Sequence, residues 1–188
     1  MTIMIIGLVL FLGVHSVRIF AEPWRQARIQ QLGEPAWKGI YSLVALIGLV
    51  LTIWGYGQTR LDPVFVWNPP VALRHLTVLL MIPALILLVA AYVPGNAIKA
   101  RLGHPMMLAV KVWALAHLLS NGRLGDIVLF AAFLVWAIMA FRAARRREPA
   151  SRTGGRSSAT ITTVVVGLVA YGLFAAFLHP WLIGVPVM

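Results

Sequence analysis

The sequence predicts an all-α integral membrane protein, a single domain over residues 1–188 built as a bundle of about six transmembrane helices. Two observations lead there. The chain is 61% hydrophobic and 11% charged, with mean hydropathy +0.89, whereas a soluble domain carries roughly a quarter charged residues. Its apolar residues also gather into runs of about 17 to 25, the length a helix needs to cross a hydrocarbon core. The formal net charge of +11 comes from 16 Lys and Arg against 5 Asp and Glu, and the bases fall between the apolar runs. That distribution marks membrane-flanking loops and leaves no nucleic-acid surface to expect. With no cysteine, disulfides, thiolate metal sites and cysteine nucleophiles are excluded, and histidine is left as the strongest soft-metal ligand.

Span 1 covers about 2–20. No charge precedes Arg18, so the segment lacks the basic start of a secretion signal and reads as a retained helix. "EPW" at 22–24 and "GEP" at 33–35 interrupt the chain before span 2 (37–57), and "NPP" at 68–70 before span 3 (71–92). "VPG" at 93–95 precedes span 4 (105–121), and "SNG" at 120–122 leaves a short turn before span 5 (124–143). Proline removes a helix donor and glycine weakens helices, so these are stop signals. The short turn keeps a re-entrant span 4–5 pair open as the alternative. The stretch 144–159, with "SRTGGRSS" at 151–158, reads as a flexible basic linker to span 6 (160–180).

Arg18, Arg25, Arg28 and Lys38 lie at the first connection, Lys99 and Arg101 at the third, and Arg142, Arg145, Arg146, Arg147, Arg152 and Arg156 at the fifth. The even connections hold only Arg60, Arg74 and Arg123. The odd connections therefore face the cytoplasm and both termini the far side, with the 142–147 cluster meeting lipid headgroups. Trp24, Trp37, Trp54, Trp67 and Trp181 sit near span ends as an interfacial belt. Trp113 and Trp136 fall inside spans and are expected to pack against protein or a bound ring.

Ionisable groups at membrane depth are costly and mark functional candidates. Here they are His15, His75, His104, Lys111, His117 and His179. Asp and Glu are expected to be absent from the spans, which argues against a carboxylate proton relay. Neutral imidazole is a ligand for haem iron and other transition metals, while a single buried histidine bonded to a backbone carbonyl is the structural alternative. In "HPMMLAVKVWALAH" at 104–117, His117 follows Trp113 by four residues and shares its helix face, whereas His104 and Lys111 share another. Both His104 and His179 precede proline, which suits a helix entrance. Lys111 either snorkels to headgroups or pairs with an anion such as a haem propionate. At about 1.5 Å per residue, His15 lies some 5–8 Å from the cytoplasmic end of span 1 and His117 about 18 Å from the start of span 4, so His75 matches His117 in depth better.

"GVHSVR", "LRHLTVLLMIPALILLVAAYVPG", "GHPMMLAVKVWALAHLLSNG" and "FLHPWL" together resemble the NnrU family of bacterial membrane proteins over essentially the whole chain. The family is associated with nitrite and nitric oxide reductase gene clusters and is similar to the plant zeta-carotene isomerase, which uses haem b to isomerise a polyene. The resemblance implies a bacterial inner-membrane protein with haem b as cofactor and His15 and His117 as axial ligands, while the match in depth keeps His75 as the alternative. It makes His75 and His104 further shared histidines, and a hydrophobic polyene a possible substrate. Where the isomerase has a cysteine three residues before the second axial histidine, this chain has Ala114. The alternative function is a non-catalytic membrane assembly or transport factor whose histidines bridge helices.

Overall fold

The computed structural model describes residues 1–151 and 154–187. Arg152, one of the linker charges, lies outside the described residues with Thr153 and Met188. The chain forms α1 (Thr2–Phe20), α2 (Glu22–Leu32), α3 (Glu34–Thr59), α4 (Val71–Tyr92), α5 (Ala97–Leu102), α6 (Pro105–Ser120), α7 (Leu124–Arg147), α8 (Ser157–Leu173) and α9 (His179–Ile183), the last two joined by a π-helical segment, Phe174–Leu178. The only β-type contact among the described residues is an isolated bridge between Phe65 and Arg123. The helices α1, α3, α4, α7 and the stretch Ser157–Ile183 are long and apolar enough to span a membrane, and α6 is a shorter apolar helix.

Element ends follow local chemistry. Prolines occupy the first turns of α2, α3, α6 and α9, where the missing N–H has no helical partner to lose. His104 and His179 thus stand at helix entrances, as expected. The π-helical segment immediately precedes His179–Pro180, because the pyrrolidine ring disrupts the preceding turn's bonding and the backbone widens around it. Two short helices were not anticipated. α2 is polar, closed by Glu22 bonds to Arg25 (2.9 Å) and Gln26 (2.8 Å), and its Trp24 meets Trp37 edge to face at 5.7 Å. α5 is capped by Asn96, whose Oδ1 accepts from Lys99 N at 2.7 Å.

Three expected boundaries shift. Span 2 extends to Glu34–Thr59, and span 6 runs from Ser157 through Ile183. The linker contracts to 148–156, since 144–147 complete α7 and 157–159 begin α8. It is also tied down on both sides: Glu148 O accepts from His104 Nε2 at 2.9 Å, and Arg156 N donates to Gly95 O at 2.8 Å.

By packing, the helices follow the order α3, α1, α7, α6, α4, α8, with no packing between α3 and α8 among the described residues, although Arg60 at the end of α3 reaches the Ile183 carbonyl of α9. The ends alternate. At one end lie the C-termini of α1 and α7, joined by Arg147 Nη1 donating to Arg18 O at 2.9 Å and by Arg18–Glu148 at 3.6 Å, together with the start of α6. At the other end Val66 N donates to Gly122 O and Leu124 N to Val64 O, each at 2.8 Å, which brings the 60–70 loop against the α6–α7 turn. The α6–α7 pair therefore runs from one end of the row to the other, although the 16 residues of α6 span only about 24 Å.

Met1, beside Gln58 and Thr59, and Ile183, whose carbonyl accepts from Arg60, share the end opposite the arginine-rich one. A reporter placed between α7 and α8 and another appended to the C-terminus should therefore read opposite sides of the membrane. Finding both on one side would remove a span from the row.

Candidate functional site

The histidine of α1 and the histidine of α6 are prepared in the same way. His15 Nδ1 lies 2.6 Å from Phe11 O and His117 Nδ1 lies 2.9 Å from Trp113 O, each one turn back on its own helix. A carbonyl oxygen has no proton to give, so Nδ1 donates in both cases and Nε2 carries the bare lone pair. This backing fixes the tautomer and the ring orientation, as it does behind metal-bound imidazoles.

α7 sets the level of each. The His15 ring stands perpendicular to Trp136 at 6.0 Å, and the His117 ring lies against Phe130 at 4.7 Å. Trp136 and Phe130 are separated on α7 by a rise of about 9 Å. Phe133 fills the interval, touching Phe11 at 6.0 Å and Trp113 at 5.4 Å. Phe11 in turn stacks on His15 at 4.4 Å and Trp113 on His117 at 5.6 Å. Trp113 and Trp136 thus pack against protein rings, and the two histidines bracket an aromatic layer between α1, α6 and α7.

The donor chemistry fits haem with one axial histidine: a neutral imidazole of fixed tautomer among flat apolar walls. One iron held between His15 and His117 does not fit this packing, because Phe11, Phe133 and Trp113 stand between them. Among the described residues no group of three or more His, Asp and Glu is placed to hold a metal ion.

Of the remaining histidines, His75 and His104 are not brought to this layer, whereas His179 comes close enough to His117 for their charges to interact. Thr77 Oγ1 donates to Ala116 O at 2.7 Å, so position 77 of α4 faces α6. His75, two residues earlier, lies about 200° around the helix, and it is exposed. His104 is committed through Nε2 to Glu148 O, and His179 Nδ1 lies 2.8 Å from Val185 O. Lys111 Nζ sits over the Phe141 ring at 4.6 Å, which it shares with Arg145 at 5.5 Å. That cation–π position holds Lys111 toward the arginine-rich end and away from His117.

A buried carboxylate corrects the expectation that the spans lack acids. Asp126, in the first turn of α7, is 1% exposed. Its Oδ1 accepts from Tyr56 Oη at 2.7 Å and its Oδ2 from Arg123 Nε at 2.8 Å. The signal was present as an arginine three residues before an aspartate at a helix start, the spacing at which side chains meet on one face. Sequence reasoning also passed over Tyr41, whose ring lies 5.3 Å from His15.

These features define a polytopic helical membrane protein whose intramembrane imidazoles flank an aromatic layer. The family model described as NnrU protein matches residues 3–187, and the chain belongs to the NnrU family. No curated protein and no solved structure matches the chain.

Proposed function

We propose that this NnrU-family protein binds haem b in a bacterial inner membrane, with His117 Nε2 as the axial ligand, in the service of respiratory nitrogen-oxide metabolism. The observation that carries the reading is the His117 Nδ1 bond to Trp113 O, which leaves Nε2 free beside Trp113 and Phe130. His117 is preferred to His15 because its ring stands between Trp113 and Phe130 alone, whereas His15 shares its surroundings with Phe11, Tyr41 and Trp136. Haem held there would supply one-electron redox chemistry or a metal centre for isomerising a polyene. The chain's own part is to orient the imidazole, exclude water with Trp113 and Phe130, and keep thiol chemistry out: Ala114 is fully buried and carries no donor. That absence favours the redox role over a polyene isomerase of the cysteine-bearing type. The positive-inside rule assigns the arginine-rich end to the cytoplasm and both termini to the periplasm.

A second reading rests on the same hydrogen bonds. Imidazoles satisfied by their own helix and stacked on neighbouring rings also describe histidines that only join helices, as in a non-catalytic assembly or transport factor. Visible spectra of the purified protein, expressed with ample haem and recorded oxidised and reduced, separate the two. A Soret band is expected in the wild type, lost in His117→Ala and retained in His15→Ala and His75→Ala. Colourless wild-type protein would establish the structural reading instead.

A further inference from the structure

Trp136 Nε1 is buried and has no hydrogen-bond partner among the described residues. In hydrocarbon there is no water to accept that proton, so an orphaned indole N–H points to an acceptor supplied from outside the chain. Its surroundings say what kind. The His15 ring stands perpendicular to the indole at 6.0 Å, and with Nδ1 committed to Phe11 O the imidazole offers Nε2 as a bare acceptor. Tyr41, 5.3 Å from His15 on its other neighbour α3, adds a hydroxyl that gives or takes a proton. The cluster therefore presents one donor, one acceptor and one group that is both, walled by the Phe11 and Phe133 rings.

The cluster also has an approach. His15, Tyr41 and Trp136 are each only half-buried. α1 and α7 meet here through rings, unlike α1 and α3, whose backbones touch. His15 lies within about 8 Å of the arginine-rich end of α1, a depth at which the polar head of an otherwise apolar molecule can rest.

We infer that the α1–α7 seam, beside α3, binds the ring head of a lipid-soluble quinone and its quinol. A quinone carbonyl accepts from Trp136 Nε1 and from Tyr41. The quinol hydroxyl accepts from Trp136 and donates to His15 Nε2, so each form makes two bonds and only the reduced one uses His15. The flat head lies against Phe11. The site is about 9 Å along α7 from His117 and is independent of haem: colourless protein that binds quinone would end the haem reading and leave this one standing.

The test uses the full chain, nitrogen-15 labelled in lipid nanodiscs, with decylubiquinone and its quinol as probes. The indole N–H resonance missing from the Trp136→Phe spectrum should move when quinone is added, while that of Trp113 stays. Trp136→Phe should weaken binding about tenfold, the worth of one hydrogen bond, with the rest of its spectrum unchanged as proof of folding. His15→Phe should weaken quinol more than quinone. An unmoved Trp136 indole, or unaltered affinity in folded Trp136→Phe, would overturn the site. A straight-chain isoprenoid alcohol that shifts the same resonance equally would overturn the assignment of a ring head.

Discussion

Replacing Asp126 with alanine should destabilise the fold by about 3 kcal/mol or more, the penalty for removing one partner of a buried ion pair. Asp126 is 1% exposed, and Arg123 beside it is only a quarter exposed in its side chain. Removing the carboxylate leaves the guanidinium uncompensated and the Tyr56 hydroxyl without an acceptor at the same time. It also removes a negative charge from the first turn of α7, where the helix dipole favours one. The carboxylate joins α3 to α7 across a long stretch of sequence, and Arg123 sits in the turn that pairs with the 60–70 loop, so the loss should loosen the whole non-arginine end of the row. Tyr56→Phe deletes one bond of this set and should cost about 1 kcal/mol. The two losses should not add, since they share a partner. Denaturant or detergent unfolding of the single and double variants measures all three terms. Equal losses in Asp126→Ala and Tyr56→Phe would show that Asp126 is held by its tyrosine alone.

The sequence announced the spans and concealed the levels between them. Apolar runs bounded by Pro and Gly are local signals, so α1 and α4 fall where they were expected, and Trp113 and Trp136 pack inward as their depth implied. α2 stayed hidden because its composition is polar and its stability comes from Glu22 and from Trp24 on Trp37, contacts that a hydropathy scan does not weigh. The facing of His75 could be read as depth but not as direction: two residues from Thr77 it shares the level of α6 and turns its back on it. His15 and His117 were legible as intramembrane imidazoles. That they sit about 9 Å apart along α7, with Phe133 between them, is a product of helix register, which no single-helix pattern encodes. Asp126 was missed because it stands at the very start of span 5, where the short turn after "SNG" hides it. Only the tertiary contact to Tyr56 makes it a buried clamp.

Enlarging Gly55 should be nearly as damaging as losing Asp126, and through a different cause. α1 and α3 approach backbone to backbone. A Cβ on Gly55 would fall on the Met4 backbone, one on Gly7 on the Thr52 backbone, and one on Gly48 would come 2.5 Å from Phe11 N. Backbone atoms cannot rotate away, so any side chain there must push the helices apart, and small residues are what permit such contacts in membranes. Separation would strip the packing around Met4 and Leu8, which are 0% and 5% exposed, and it would break continuity along the α1–α3 face. Gly55→Val is therefore expected to cost about 3 kcal/mol, at the upper end of overpacking penalties. Gly39→Ala and Gly57→Ala on the same helix provide the contrast, because a Cβ at either meets nothing within 4 Å. Relieving a helical glycine there should be neutral or stabilising by up to about 1 kcal/mol. Similar unfolding of the Gly55 and Gly39 variants would sink the idea that close contact, and not helix propensity, is what these glycines provide. The consequence reaches the aromatic layer, since Gly48 backs Phe11 and Phe11 backs His15. An α1 displaced by Gly48→Val should therefore disturb ring contacts at the α7 seam while leaving His117, on α6, in place.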